Sequence, residues 1–196
     1  MADLSFDEEQ VAAASKPMDP PPLDTATRES VVVSLNEINK ALIDYFKRHP
    51  DKMFELSPRK FEELIAEILR DMGAEVQLTP AIKDGGRDIL AHLTLPFAKL
   101  LTIVECKRYA PGNPVGLDIV ERFMYTIDRR DNASFGLVVT TSNFTEGAIE
   151  VERKYPGRIG LRDFQNIASW LSSYGTWRLS EERGIWLPNK PMAPTL

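Results

Sequence analysis

The chain has 196 residues, 43% of them hydrophobic, and its 24 basic and 29 acidic side chains give a formal net charge of −5. This length and composition predict one globular domain with appendages. A single cysteine excludes an internal disulfide, and one cysteine with two histidines is too few for a Cys/His zinc cluster.

The N-terminal end is acidic and rich in alanine and proline. Residues 1–28 predict a disordered tail. No apolar run in the chain is long enough to span a membrane, and the first residues carry acids where a secretory leader carries bases. We therefore expect a cytoplasmic protein that does not associate with membranes.

Two helices are predicted next. The segment 29–55 contains apolar residues at helical spacing, including Leu42, Tyr45 and Phe46, and we expect its helix to pack on the core. A second helix begins at Ser57 with proline in its first turn, and a stripe of apolar side chains predicts a buried face that ends before Gly73.

Strands follow the second helix. The sequence pattern predicts a first strand at residues 75–79 and a hairpin at residues 89–103 with its turn near Pro96. Side chains alternate between the faces of a strand, so Glu105 and Lys107 share one face. With this turn, Asp88 at the start of the hairpin lies opposite Glu105 near its end.

Two carboxylates and one ammonium on one patch suit a hard divalent cation. Mg²⁺ binds carboxylate, water and phosphate oxygens, and Mn²⁺ would substitute for it. Lys107 would hold the attacking water or offset negative charge. The simpler interpretation is a solvated Glu–Lys pair, because so short a pattern also occurs by chance. Against it, residues 100–104 are apolar on both faces, as in a central strand.

The second half of the chain alternates helices and strands. The pattern predicts a helix at 117–128 with Leu117 inward, a buried strand at 135–140, a helix at 146–155, a short strand at 159–161 and a helix capped by Asp163. The crossover helix makes the later strands parallel. We therefore predict an α/β fold with a mixed central sheet of about five strands and helices on both faces.

Four segments resemble one known family in their order along the chain. They are residues 56–64 (LSPRKFEEL), 84–89 (DGGRDI), 105–109 (ECKRY) and 139–145 (VTTSNFT). Over about residues 56–171 the chain resembles the Mrr-like restriction endonucleases of the PD-(D/E)xK nuclease superfamily. Its nuclease domain would then cover 56–175, followed by a C-terminal extension at 176–196.

The resemblance implies a site. Asp88, Glu105 and Lys107 would form the catalytic set, with Glu62 as an added acid, although the residues alone would place Glu62 in solvent. Asp88 and Glu105 would bind the metal, with the carbonyl of Cys106.

Substrate contacts are predicted around this set. They would come from glycines that let backbone approach a ligand, from neighbouring arginines, and from hydroxyls that otherwise serve as helix caps. These residues are Gly85, Gly86, Arg87, Arg108, Thr141 and Ser142. Arg87 departs from the family, which more often has an apolar residue there.

We expect a Mg²⁺-dependent DNA endonuclease in a restriction or anti-phage system, acting as a homodimer or within a larger defence assembly. The alternative is a non-cleaving subunit that binds nucleic acid or a partner protein. The net charge of −5 favours this alternative, because phosphate contacts normally come from Lys and Arg. The intact Asp88, Glu105 and Lys107 favour the enzyme.

Overall fold

A computed structural model of the chain describes residues 40–80, 87–129, 133–180 and 185–188. The predicted tail, most of the predicted N-terminal helix, and Gly85 and Gly86 lie outside these residues. The chain divides into two compact units, residues 1–40 and 41–196, and only Lys40 of the first unit is described. None of the described helices is long and apolar enough to cross a membrane.

Helices and strands alternate as the sequence predicted. The helices are α1 (40–48), a short 3₁₀-helix (Pro50–Glu55), α2 (Pro58–Asp71), α3 (Leu117–Arg129), α4 (Glu146–Lys154) and α5 (Phe164–Ser173). The strands are β1 (Glu75–Leu78), β2 (Ile89–Leu95), β3 (Ala98–Lys107), β4 (Phe135–Thr140), β5 (Ile159–Arg162), β6 (Trp177–Ser180) and β7 (Ile185–Pro188).

The central sheet has five strands in the order β1-β2-β3-β4-β5. The first three strands are antiparallel, and β3, β4 and β5 are parallel. This confirms the predicted mixed sheet. The sequence did not predict the separate antiparallel pair β6–β7.

The β2–β3 hairpin has the predicted turn. Leu95 pairs with Ala98, which leaves Pro96 and Phe97 as the two turn residues. From this turn the register runs back to the pair Ile89 and Val104. The hairpin therefore brings the residue before β2, Asp88, to the end of β3 that carries Glu105 and Lys107.

Helices cover both faces of the sheet, as predicted. On one face, buried residues of α2 such as Phe61 and Ile65 form a cluster with Ile89 and Val104. On the other face, residues of α3 and α4 form a second cluster with apolar residues of β3, β4 and β5. Neighbouring β3 residues belong to different clusters because the strand alternates faces.

Cap residues set the ends of α2. The Ser57 hydroxyl accepts a hydrogen bond from the amide of Lys60 at 3.3 Å, and Pro58 occupies the first turn. Gly73, with φ of 93°, follows the helix in the left-handed conformation that glycine adopts most easily. These residues place Glu62, in the second turn, beside the buried stripe.

The predicted inward position of Leu117 was wrong, and α1 buries only part of its apolar stripe. In α1, Ile43 and Phe46 face the core, so Leu42 and Tyr45 lie on the flank and are 50% and 40% exposed. Leu117 is also 40% exposed. It is the first residue of α3 and lies next to Gly147 of α4 at the surface.

Candidate active site

Asp88 and Glu105 lie together at neighbouring strand ends. The Asp88 amide donates to the Val104 carbonyl at 2.8 Å, and Asp88 Oδ2 accepts from the Cys106 amide at 2.5 Å. The main chain of Asp88 is thus bonded to the residue before Glu105 and its side chain to the residue after it. Both acids are buried, with exposed fractions of 8% and 2%.

Lys107 completes this group. Its Nζ lies 2.6 Å from Glu105 Oε1, and its side chain is 23% exposed. Burial opposes the charge, but the carboxylates of Glu105 and Asp88 outweigh it and raise the pKa of Lys107 above its ordinary value. The side chain is therefore an ammonium at neutral pH, able to donate hydrogen bonds and to stabilise negative charge.

Cys106 faces the other side of β3. It packs against the cluster that contains α2. Burial raises the pKa of its thiol well above the usual value, and the charges of Asp88 and Glu62 raise it further. The thiol is therefore a poor nucleophile, and the predicted role of the Cys106 carbonyl as a metal ligand stays a prediction.

Glu62 is held by Arg59. The Nη1 atom of Arg59 lies 2.9 Å from Glu62 Oε2 and also donates to the Thr79 carbonyl at 2.9 Å. Side chains alternate along β3, so the Glu105 carboxylate lies on the opposite face of the strand from the Cys106 thiol. The Glu62 carboxylate is close enough to that thiol to raise its pKa. The predicted role of Glu62 stays a prediction.

The donor set has the right chemistry for a hard cation. Among the described residues, no three acidic, histidine or cysteine side chains are grouped to hold a metal ion. Two carboxylates are enough for Mg²⁺, which usually keeps several waters and takes its remaining ligands from substrate phosphate. Asp88 and Glu105 therefore fit a Mg²⁺ site that is only partly made of protein.

Both predicted arginines are hydrogen-bonded within the chain, Arg87 through its carbonyl and Arg108 through its side chain. The Arg87 carbonyl accepts from the Thr79 hydroxyl at 2.5 Å. Arg108 donates from Nη1 to the Phe54 carbonyl at 3.0 Å, and within the described chain its buried Nε has no hydrogen-bond partner. Contacts of these arginines with substrate stay predictions.

Thr141 and Ser142 are buried, with exposed fractions of 1% and 6%. The Thr141 hydroxyl donates to the Tyr109 carbonyl at 2.7 Å. The Ser142 amide donates to the Thr140 hydroxyl at 3.1 Å. Both residues therefore hold the main chain around the site, and their predicted contact with phosphate is untested.

Sequence reasoning missed two residues beside the site. Thr79 and Thr140 are buried and hydrogen-bonded to the main chain of the site residues. A signal was available, because each is a polar residue directly at the end of a predicted strand. A threonine there fits an ordinary strand equally well, so the pattern alone does not indicate this role.

A family model described as "Restriction endonuclease" (Mrr_cat) matches residues 53–171. The uncharacterized protein y4cE of Sinorhizobium fredii is 27% identical over 169 residues, which cover 85% of this chain and 41% of that protein.

Two solved structures are also similar. The DNA modification-dependent restriction endonuclease AspBHI matches with a TM-score of 0.52 and 27% identity over 69% of this chain and 35% of its own. The restriction endonuclease MspJI, in complex with a 27-mer oligonucleotide, matches with a TM-score of 0.40 and 19% identity over 81% of this chain and 34% of its own.

This chain spans less than half the length of each of these relatives. The family model nevertheless covers more than half of this chain and includes Asp88, Glu105 and Lys107. The chain therefore belongs to the restriction endonuclease family that the Mrr catalytic-domain model describes.

Proposed function

We propose that this chain is a metal-dependent endonuclease that hydrolyses phosphodiester bonds in DNA. One observation carries the proposal. Glu105 is 2% exposed and lies between Val104 and Cys106, the two residues that Asp88 is hydrogen-bonded to, and its carboxylate pairs with the Lys107 ammonium at 2.6 Å. Two adjacent buried carboxylates cost folding free energy. Such a cost at a strand end, in a chain of this family, is typical of a catalytic site.

Asp88 and Glu105 would hold Mg²⁺, with the Cys106 carbonyl as a further oxygen. When bound, the metal polarises a phosphate and lowers the pKa of a bound water. Lys107 would donate its hydrogen bonds to the attacking water or to a phosphate oxygen. Glu62 would orient a hydrated ion from the α2 side.

We propose that DNA contacts the residues that neighbour the catalytic residues in sequence or in the sheet. Gly85, Gly86 and Arg87 directly precede Asp88, and Arg108 directly follows Lys107. Thr141 and Ser142 follow β4, whose last residue pairs with Lys107. These six residues are our candidates for DNA contact.

The biological setting is part of the proposal. The solved relative of higher TM-score is described as a DNA modification-dependent restriction endonuclease, which supports a cytoplasmic role in restriction or anti-phage defence. Cutting both DNA strands requires two active sites. We therefore propose a homodimer or a larger defence assembly as the working form.

Plasmid cleavage tests the activity. We expect the chain to nick or linearise supercoiled plasmid with Mg²⁺ or Mn²⁺ and to stop when EDTA is added. Lys107→Ala should lower the rate by about 100-fold or more, since one lost charge-stabilising donor costs this much in other enzymes.

Lys99→Ala is the matched control. Lys99 also lies on β3, but next to the β2–β3 turn, and its ammonium forms an exposed ion pair with Glu75 at 3.3 Å. This variant should cleave at the wild-type rate. A Lys107→Ala protein that cleaves as fast as the Lys99→Ala protein would contradict the mechanism.

The alternative is a subunit that binds nucleic acid or a partner without cutting. The net charge of −5 favours it, because phosphate contacts normally come from Lys and Arg. Calorimetric titration with Mn²⁺ separates the two. The enzyme should bind Mn²⁺ and lose this binding in the Asp88→Asn, Glu105→Gln double variant, whereas a non-cleaving module should show no binding that depends on these carboxylates.

A further inference from the structure

Two buried threonines flank the candidate site, one on each side of the β2–β3 hairpin. Thr79 directly follows β1 and is 8% exposed, and Thr140 is the last residue of β4 and is fully buried. In both, the hydroxyl is bonded to the main chain of the catalytic segments.

Thr140 holds the main chain of Lys107. The two residues are partners in the parallel β3–β4 register. The Thr140 hydroxyl donates to the Lys107 carbonyl at 2.8 Å, and the Thr141 amide donates to the same carbonyl at 3.3 Å. The hydroxyl in turn accepts from the Ser142 amide at 3.1 Å, so it both donates and accepts a hydrogen bond at the end of β4.

Thr79 holds the main chain of Asp88. Its amide donates to the Asp88 carbonyl at 3.0 Å, and its hydroxyl lies 2.5 Å from the Arg87 carbonyl and 3.1 Å from the Asp88 carbonyl. Asp88 also donates its amide to β3. The backbone of this acid is therefore fixed from both neighbouring strands while its carboxylate accepts from Cys106.

Arg59 links the Thr79 side of this arrangement to α2. Its guanidinium bridges the Thr79 carbonyl and Glu62. Thr79 is thus bonded to the main chain of Asp88 and, through Arg59, to Glu62, whereas Thr140 is bonded to the main chain of Lys107.

We propose that Thr79 and Thr140 are positioning residues that set where Asp88 and Lys107 stand relative to the substrate phosphate. The inference rests on the proposed nuclease function. Catalysis depends on reactive groups being held within a fraction of an ångström, and misplacement by about 1 Å can cost about 100-fold in rate. Neither threonine touches substrate.

The test compares substitutions that remove only the hydroxyl with substitutions that keep it. Thr140→Val and Thr79→Val should each lower kcat for plasmid cleavage by about tenfold or more and change KM by less than about twofold. Thr140→Ser and Thr79→Ser should restore kcat to within about threefold of the wild type.

Thr126→Val is the matched control. Thr126 is 6% exposed, and its hydroxyl donates to the Arg122 carbonyl at 3.3 Å within α3, away from the site. This variant should keep its kcat. All rates are measured at a temperature well below the melting point of every variant, so that loss of folded protein does not lower kcat.

A second readout does not depend on cleavage. The Cys106 amide, bonded to Asp88 Oδ2, should exchange its hydrogen about tenfold faster in Thr79→Val than in the wild type or Thr126→Val, as followed by ¹H–¹⁵N NMR. Unchanged exchange in Thr79→Val would overturn the role of this threonine.

The outcomes separate the two proposals. A wild-type protein that does not cleave overturns the nuclease function and this inference with it. An active wild type with fully active valine variants overturns the positioning role alone. Serine variants as impaired as the valine variants, or a Thr126→Val protein that loses kcat equally, would also overturn it, because the effect would then come from packing.

Discussion

Gly136 on β4 sits where the sheet leaves no room for a side chain. A Cβ there would lie 2.1 Å from Cδ1 of Ile127 and 3.0 Å from Cε1 of Phe123. Both of these α3 side chains are fully buried or nearly so and cannot swing aside. We expect Gly136→Ala to lower the free energy of unfolding by about 1–3 kcal/mol in urea denaturation.

Gly147→Ala is the contrasting variant. The nearest atoms to its new Cβ belong to Leu117, at 3.6 Å, which is an ordinary contact distance. Gly147 lies in α4, where alanine restricts the unfolded chain more than glycine does. We expect this variant to gain about 0.5 kcal/mol, and equal losses in the two variants would contradict the packing argument.

The environment of the Tyr174 hydroxyl makes the stability of the protein depend on pH. Its hydroxyl donates to Glu67 Oε1 at 2.8 Å, and burial, followed by the Glu67 carboxylate, raises the pKa of the phenol above its usual value. The folded state therefore favours the neutral phenol. Its contribution to stability is complete below the unfolded pKa of about 10 and is lost as the pH rises further.

Melting temperatures of the wild type and Tyr174→Phe from pH 7 to pH 11 measure this effect. The wild type should lose stability relative to Tyr174→Phe above about pH 10, because the variant has no phenol to ionise. Two curves that stay parallel over this range would contradict the assignment.

The sequence predicted the proximity of Asp88 and Glu105 because it depends on local rules. The two-residue turn and the alternation of side chains are enough to bring these residues together. The bond from Arg59 to Thr79 and the bond from Arg108 to Phe54 join segments far apart in the chain. No local pattern specifies such contacts, so the structure was needed to find them.

At the scale of elements, α5 begins with a capping box. Asp163 Oδ1 accepts from the Asn166 amide at 3.0 Å, and Asn166 Oδ1 accepts from the Asp163 amide at 3.0 Å. The sequence predicted the Asp163 cap. The capped helix buries Ile167 and Leu171 in the core that also contains α2.

We expect Asp163→Ala to cost about 1 kcal/mol of unfolding free energy, because it leaves an amide at the start of the helix without its acceptor. Ser172→Ala, on the exposed part of the same helix, should cost much less. Chemical denaturation of both variants measures the difference, and an equal loss would show that the cap contributes little.

The order and direction of the sheet strands were predictable from the sequence, but which face of α1 is buried was not. Strand alternation and crossover helices restrict a sheet to few topologies. In α1, Leu42, Ile43, Tyr45 and Phe46 form a broad apolar surface, and the contacts of the folded core decide which part is buried. The β6–β7 pair was missed because tryptophan and proline in that region also fit an irregular extension.

For the whole molecule, the balance of charges limits the DNA affinity that the proposed nuclease would have. The chain has 24 basic and 29 acidic side chains. Several described arginines are paired with carboxylates, in the ion pairs Arg59–Glu62, Arg153–Glu146, Arg158–Asp128 and Arg162–Glu152. These pairs leave fewer cations available for phosphate contacts.

We therefore expect weak DNA binding with a shallow dependence on salt. Each phosphate that a protein neutralises steepens the plot of log affinity against log salt by about 0.9. With two or three contacts near Lys107, the slope should be about −2 to −3. Fluorescence anisotropy of a labelled 20-base-pair duplex, with Ca²⁺ replacing Mg²⁺ to prevent cleavage, measures it from low to moderate salt.

A slope of about −6 or steeper would contradict this expectation. It would mean that the protein meets DNA through an extended basic surface and not through the site alone. A shallow slope would instead mean that the few phosphate contacts around the site account for most of the DNA affinity.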